Sequence, residues 1–297
     1  MGDDGTLNGG ILNDGDGRHP RALEGVARWP VGSVAAGVVR RTPDGVVEVA
    51  ERSGDLGAPF AWASVTKLLV ALAVLVAVEE GTLALDDPAG PPGSTIRHLL
   101  AHASGLGPDA EAPLSAPGRR RIYSNIGYEV LAQHVAHASG MAFSDYLRTG
   151  VVLPLAMTGT ELRPGTSPAS GGRGPVRDLL ALAAELLAPR LVSPATLAEA
   201  TSVAFPGLAG VLPGFGRFDP CDWGLGFEIR DAKAPHWTGT RNSPGTFGHF
   251  GQSGSFVWVD PVAQVACAAL CDRDFGPWAH SAWPALADAV LEDWALA

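Results

Sequence analysis

The stretch Ser64-Val65-Thr66-Lys67, followed by the apolar run Leu68 to Val78, decides how this chain is read. Eleven consecutive apolar residues at helical length leave no polar face, so this helix belongs inside a core and not on a surface. The run is too short to span a bilayer. Ser64 stands at its head, and Lys67, three residues on, shares the same helical face. Two readings fit the stretch alone. Ser64 is either an N-cap with a solvated lysine nearby, or a buried nucleophile with an amine beside it. The rest of the chain has to decide between them.

At 297 residues the chain can bury a large core. With 46% hydrophobic and 18% charged residues it is globular, not disordered. A net charge of −10 argues against a nucleic-acid or anionic-membrane binder, whose affinity rests on clustered Lys and Arg. Cys221, Cys267 and Cys271 are odd in number and have no metal-ligand spacing, and Cys267 and Cys271 fall in a strand-like run. They read as reduced core residues. The first residues, MGDDGTLNGGILNDGDG, have neither a basic nor an apolar signal region, so the expected location is cytoplasmic.

Residues 1–30 read as a lead-in. Val34 to Arg41 and Val46 to Glu51 read as a hairpin around Thr42-Pro43-Asp44-Gly45. The buried helix then runs to about Glu80, with Gly81 as its stop. Helical signals follow to about Leu197: a short helix capped by Ser94 or Thr95, then Asn125 to Ala138, one from Ser144, one after Pro175, and one at Ser193-Pro194. Ala204 to Asp222, rich in Gly, Pro and Phe, reads as loop. Strands return at Gly224 to Ile229, Thr246 to Phe250, Gly254 to Asp260 and Ala263 to Cys271, and a helix closes the chain at Ala279 to Trp294. The expected fold is α/β plus α. An antiparallel five-stranded sheet flanked by helices is built from both ends of the chain (31–85 and 200–297), with a mainly helical lobe from 86–199.

Two more stretches carry chemistry: Tyr123-Ser124-Asn125 at a loop-to-helix junction, and Gly248-His249-Phe250-Gly251-Gln252 at a strand edge. Each taken singly could be a cap or a glycine-rich turn. In this order, S-x-x-K, Y-x-N and H-x-G resemble the three-part signature of the serine β-lactamase and penicillin-binding-protein superfamily. The Y-x-N form resembles the branch of class C β-lactamases, D-alanyl-D-alanine carboxypeptidases and family VIII esterases. FAWASVTKLL, STIRHLLAHASGL, YSNIGYEVLAQHV, DWGLGF and GHFGQSGSFVWVDP each look like stretches of that family, in the right order.

That resemblance implies the β-lactamase/transpeptidase-like fold and covalent acyl transfer through Ser64. Lys67 and Tyr123 would share proton transfer, and Asn125 would hold Lys67 and reach the substrate. The oxyanion hole would be the backbone N–H groups of Ser64 and Gln252. His249, Phe250 and Gly251 would border the substrate. His98 and His102 lie in a segment expected to be structural. Neither a metal nor a cofactor motif appears, and the expected partner is a small acyl substrate.

One departure bears on substrate choice. Relatives with K-T-G offer a lysine and a hydroxyl to a substrate carboxylate, whereas His249 is largely neutral at pH 7 and Phe250 has no hydroxyl. Arg119 to Arg121, or Arg241, could restore an anion site. The expectation is an esterase-like serine hydrolase acting on a small neutral ester or amide. A β-lactamase or D-Ala-D-Ala carboxypeptidase, or an acyltransferase, are the alternatives.

Overall fold

The computed structural model describes residues 21–295 except residue 111. Most of the expected lead-in therefore lies outside the described residues. Its last part does not trail away: Ala22–Arg28 is a 3-10 turn that buries Ala22, Leu23 and Val26.

Strands β1 (Val34–Arg41) and β2 (Val47–Ser53) form the expected hairpin, and β3 (Pro59–Ala61) leads into helix α1 (Thr66–Glu79). Helices α2 (Ile96–Leu100), α3 (Asn125–Ser139) and α4 (Phe143–Leu147) follow. Then come β4 (Arg173–Pro175), α5 (Val176–Leu187) and α6 (Pro194–Ala200). The chain ends through β5 (Gly210–Leu212), β6 (Gly216–Phe218), β7 (Glu228–Ile229), β8 (Phe247–Gly251), β9 (Ser255–Asp260), β10 (Val265–Cys271) and α7 (Ala279–Trp294).

The main sheet has six strands, in the order β2-β1-β10-β9-β8-β7, with antiparallel pairing throughout. The expectation of five strands is corrected to six, the number of strand stretches that the sequence itself shows. The strand read at Gly224 to Ile229 shrinks to Glu228–Ile229 because residues 225 and 226 give their N–H groups to Ala200 and Leu100 in the helical segment. At Gly226 the backbone sits at φ +98°, pressed against the Ala71 methyl, where a side chain would collide. The loop read at 204–222 also holds a small hairpin, β5 with β6.

Side chains alternate across the sheet with period two. Ala35, Val39, Val257, Val259, Ala266, Ala268 and Leu270 pack towards α1 and α5. Ala36, Val38, Phe256, Trp258, Val265, Cys267 and Ala269 pack towards α7 and the first 3-10 turn. Because both faces are covered, the strands read as almost unbroken apolar runs. Helix α1 is buried from Thr66 to Ala77, as its composition demands. Gly81, at φ +74°, lies just past its end.

Candidate active site

Ser64 is not a helix cap. It sits in a 3-10 turn, Ala63–Val65, and α1 begins at Thr66 with no side-chain cap. Ala63 holds φ +43°, a left-handed conformation that costs an L-residue about 1–2 kcal/mol. The neighbouring chain holds this turn in place. The Trp62 N–H donates to the Gly172 carbonyl at 2.9 Å, and its indole N–H to the Gly174 carbonyl at 3.0 Å. Ser253 and Ser255 hydroxyls donate to the carbonyls of Ala61 and Trp62 at 2.8 and 2.7 Å. Gly251 completes the clamp, since a Cβ there would strike the Trp62 carbonyl and the Ser255 hydroxyl. Gly251 is thus a packing residue that lets β8 approach the Ser64 turn.

Lys67 is fully buried. Its ammonium lies 3.3 Å from Ser64 Oγ, and donates to Asn125 Oδ1 at 2.7 Å and to the Ala169 carbonyl at 2.9 Å. It also stands over the rings of Tyr123 and Tyr128, at 4.8 and 5.5 Å. Burial pulls the Lys67 pKa down to about 7, with the Asp109 and Glu129 carboxylates opposing the shift. Its neutral form is therefore well populated near neutrality.

The Tyr123 phenol is pushed well above its ordinary pKa by burial, against a weaker opposing effect of its hydrogen bond with Ser64. It stays protonated. Asn125 opens α3. Its amide is oriented from both ends, because Nδ2 donates to Asp109 Oδ1 at 2.7 Å while Oδ1 accepts from Lys67. Asp109 escaped the sequence reading, since no motif marks it; only the fold brings it to Asn125.

A cavity of about 160 Å³ opens beside Ser64. Tyr123, Trp223, His249, Phe250 and Gln252 line it, closed by Leu212 and Pro213 from the β5–β6 hairpin and by Glu228 from β7. Phe250 also packs into a cluster with Phe215, Phe275 and Trp283. Among the described residues no hydrogen bond engages the backbone N–H of Ser64 or of Gln252.

The remaining candidates are engaged elsewhere. Arg121 is buried and spends its guanidinium on the carbonyls of Cys221, Ala101 and Ala204. Arg119 and Arg120 are exposed and, like Arg241, lie outside the pocket lining. His102 accepts the Ser124 N–H at Nδ1 (3.1 Å) and packs under Tyr123. His98 stacks on Phe205. Glu228 is fully occupied by Lys233 Nζ (2.7 Å), His236 Nε2 (3.0 Å) and Trp237 Nε1 (3.0 Å). Burial works to raise the Glu228 pKa, but His236 and Lys233 outweigh it and bring it down to about 2. All three cysteines are buried and free. Among the described residues no helix is long and apolar enough to cross a membrane.

Comparison with known proteins agrees with this geometry. The family model for Beta-lactamase matches residues 33–291. The solved structure of a β-lactamase (Mb2281c) from Mycobacterium bovis is 52% identical, with a TM-score of 0.89, covering 93% of this chain and 100% of that one. Penicillin-binding protein 4* of Bacillus subtilis is 32% identical over 137 residues, which is 35% of this chain and 30% of the relative. The D-alanyl-D-alanine-carboxypeptidase/endopeptidase AmpH of Escherichia coli K12 is 27% identical over 139 residues, 34% of this chain and 36% of the relative. The chain thus spans about a third of the length of the curated relatives it matches. Its serine beside a buried lysine, the tyrosine above that lysine and the match along nearly its whole length come to one conclusion: this chain belongs to the β-lactamase family, within the serine β-lactamase and penicillin-binding-protein superfamily of hydrolases.

Proposed function

We propose that the protein is a serine hydrolase of esterase type, acting through a covalent acyl-enzyme on Ser64 with a small neutral ester or amide as substrate. Lys67, with a pKa near 7 and 3.3 Å from Ser64 Oγ, takes the hydroxyl proton as Oγ attacks the acyl carbon. The oxyanion that forms meets the N–H groups of Ser64 and Gln252. Tyr123, held neutral by burial, is better suited to hand a proton to the departing group than to act as the resting base. The proton that Lys67 took from Ser64 is then returned to Tyr123, so that both groups end in their starting forms. Water then takes the acyl group from Ser64, or an alcohol does so in the acyltransfer variant. Asn125 fixes Lys67 and keeps one amide hydrogen beyond the one given to Asp109 for the substrate.

The observation that carries the choice of substrate is the lining of the pocket. It contains no Lys or Arg among the described residues, and its one carboxylate, Glu228, is already paired with Lys233 and His236. A substrate carboxylate finds no charge-assisted partner there. A cytoplasmic setting, with its three free cysteines reduced, is part of the same proposal. A second reading, β-lactamase or D-alanyl peptidase activity, draws on the names of the Mycobacterium bovis structure and of AmpH.

One panel separates them: short-chain p-nitrophenyl esters, nitrocefin, a D-Ala-D-Ala peptide and a fluorophosphonate, with intact mass measured after each. We expect ester turnover and a fluorophosphonate adduct, both lost in Ser64→Ala. Equal ester turnover by wild type and Ser64→Ala overturns the mechanism. A penicillin or nitrocefin acyl-enzyme with faster turnover than any ester favours the second reading.

A further inference from the structure

The pocket contains two polar atoms with nothing to bond to. His249 Nε2 and Trp223 Nε1 are both buried and without a partner among the described residues, and both residues line the cavity beside Ser64. Their rings meet edge-on, with centroids 5.7 Å apart. A buried polar group left unpaired typically costs about 1–3 kcal/mol. Two side by side in a substrate pocket therefore describe what the substrate has to bring.

The direction of each bond can be derived. His249 Nδ1 lies 2.7 Å from the backbone carbonyl of Phe250. A carbonyl oxygen only accepts, so Nδ1 carries the hydrogen. In the neutral ring Nε2 is then a bare lone pair, an acceptor. Burial and the neighbouring Lys67 hold the His249 pKa down to about 3, against the weaker pull of Glu228. The indole N–H of Trp223 can only donate. His102 has the opposite tautomer, because its Nδ1 accepts the Ser124 N–H, and it lies outside the lining.

We propose that this pocket selects an uncharged acyl substrate that presents a hydroxyl or amide N–H to His249 Nε2 and an oxygen acceptor to Trp223 Nε1, and that it rejects a carboxylate at that place. The proposal rests on the reading of Ser64 as an acylated nucleophile. It reverses what the histidine position does in a site built for anions: a lone pair facing a carboxylate repels it.

The test is a matched series of p-nitrophenyl esters: butyrate, 3-hydroxybutyrate, 3-methoxybutyrate and the succinate hemiester. The hydroxy and methoxy members share the oxygen acceptor and differ in the donor and one methyl group, and butyrate controls for size from the other side. We expect kcat/KM for the hydroxy ester to exceed that for the methoxy ester and butyrate by roughly three- to tenfold, the worth of one buried neutral hydrogen bond. The hemisuccinate should be slowest. In His249→Lys the order should invert towards the hemisuccinate. Equal rates for the hydroxy and methoxy esters, or a wild type that prefers the hemisuccinate, overturn the proposal. If no ester acylates Ser64, the hydrolase reading fails, and a second measurement still decides the acceptor. Nitrogen-15 spectra of histidine-labelled Ser64→Ala at pH 7, assigned with His249→Gln and His102→Gln, should show His249 protonated at Nδ1 alone and His102 at Nε2 alone. An Nε2-protonated or doubly protonated His249 overturns the proposal, and the Nδ1 form supports it.

Discussion

Asp109→Asn isolates the electrostatics of Lys67 from its placement. The Asp109 carboxylate reaches Lys67 through two 2.7 Å hydrogen bonds across the Asn125 amide. The two charges are thus roughly 7 Å apart, and at an effective dielectric constant of roughly 40–80 their attraction is about 0.6–1.2 kcal/mol. That corresponds to about 0.4–0.9 pH units on the Lys67 pKa. An asparagine side chain can still accept from Asn125 Nδ2, so the orientation of Asn125 survives while the charge disappears. The sign is fixed. Asp109 raises the Lys67 pKa, so its removal lowers it, and the rising limb of the pH–rate curve moves to lower pH. The assay is the second-order rate of fluorophosphonate labelling of Ser64 from pH 5 to 9, with mass spectrometry confirming one adduct. Wild type should rise through a pKa near 7, and Asp109→Asn through one about half a unit lower, with an unchanged plateau. Asp109→Ala, which also frees the amide, should lose plateau rate as well. A limb that stays in place or moves upward in Asp109→Asn would refute Lys67 as the group whose deprotonation activates Ser64.

Two further outcomes follow from packing and buried charge. Gly251→Ala places a Cβ against the Trp62 carbonyl, which is backbone and cannot step aside. It should cost about 1–3 kcal/mol in urea unfolding and, by shifting Gln252, slow acylation about 10- to 100-fold; wild-type rates would show that β8 does not position the oxyanion donors. Glu228→Gln leaves Lys233 buried without its counter-charge and should lose about 3–5 kcal/mol at pH 7. Since the folded Glu228 pKa is depressed to about 2, its contribution is complete above the ordinary Glu value and is lost as pH falls towards 2. Wild type should therefore lose more stability than Glu228→Gln between pH 5 and pH 3, and parallel curves would show that Glu228 is not ionised.

What the sequence made legible was whatever depends on local pattern. The hairpin at Thr42 to Gly45, the buried α1 and the Ser193-Pro194 cap depend on neighbours within a few residues, and each stands where its pattern places it. The edge strand read at Gly224 to Ile229 keeps only its end, Glu228–Ile229. Whether residues 224–226 pair with β8 is settled by the carbonyls of Ala200 and Leu100 that take their N–H groups. No periodicity within the segment encodes those distant partners. The site divides in the same way. Ser64, Lys67, Tyr123 and Asn125 carry motif spacing and come together. Asp109, Ala169, Leu212 and Trp223 are brought to the site by tertiary contact alone, although Trp223 lies within the DWGLGF stretch that resembles the family.

Phe250 and His249 show the limit of reading residue types without their partners. From sequence, Phe250 was the departure that set substrate choice, through the hydroxyl it lacks. In the structure it lines the pocket yet is held by Phe215, Phe275 and Trp283, so it contributes a fixed apolar wall. The polarity of the pocket is set one residue earlier and on the other side of the strand. The Phe250 carbonyl, not its ring, locks the tautomer of His249 and turns that residue into an acceptor. A backbone oxygen thus does what the side-chain identity was expected to do. Changing Phe250 to threonine would add the missing hydroxyl without restoring a carboxylate site, because the lone pair on His249 would still face the substrate.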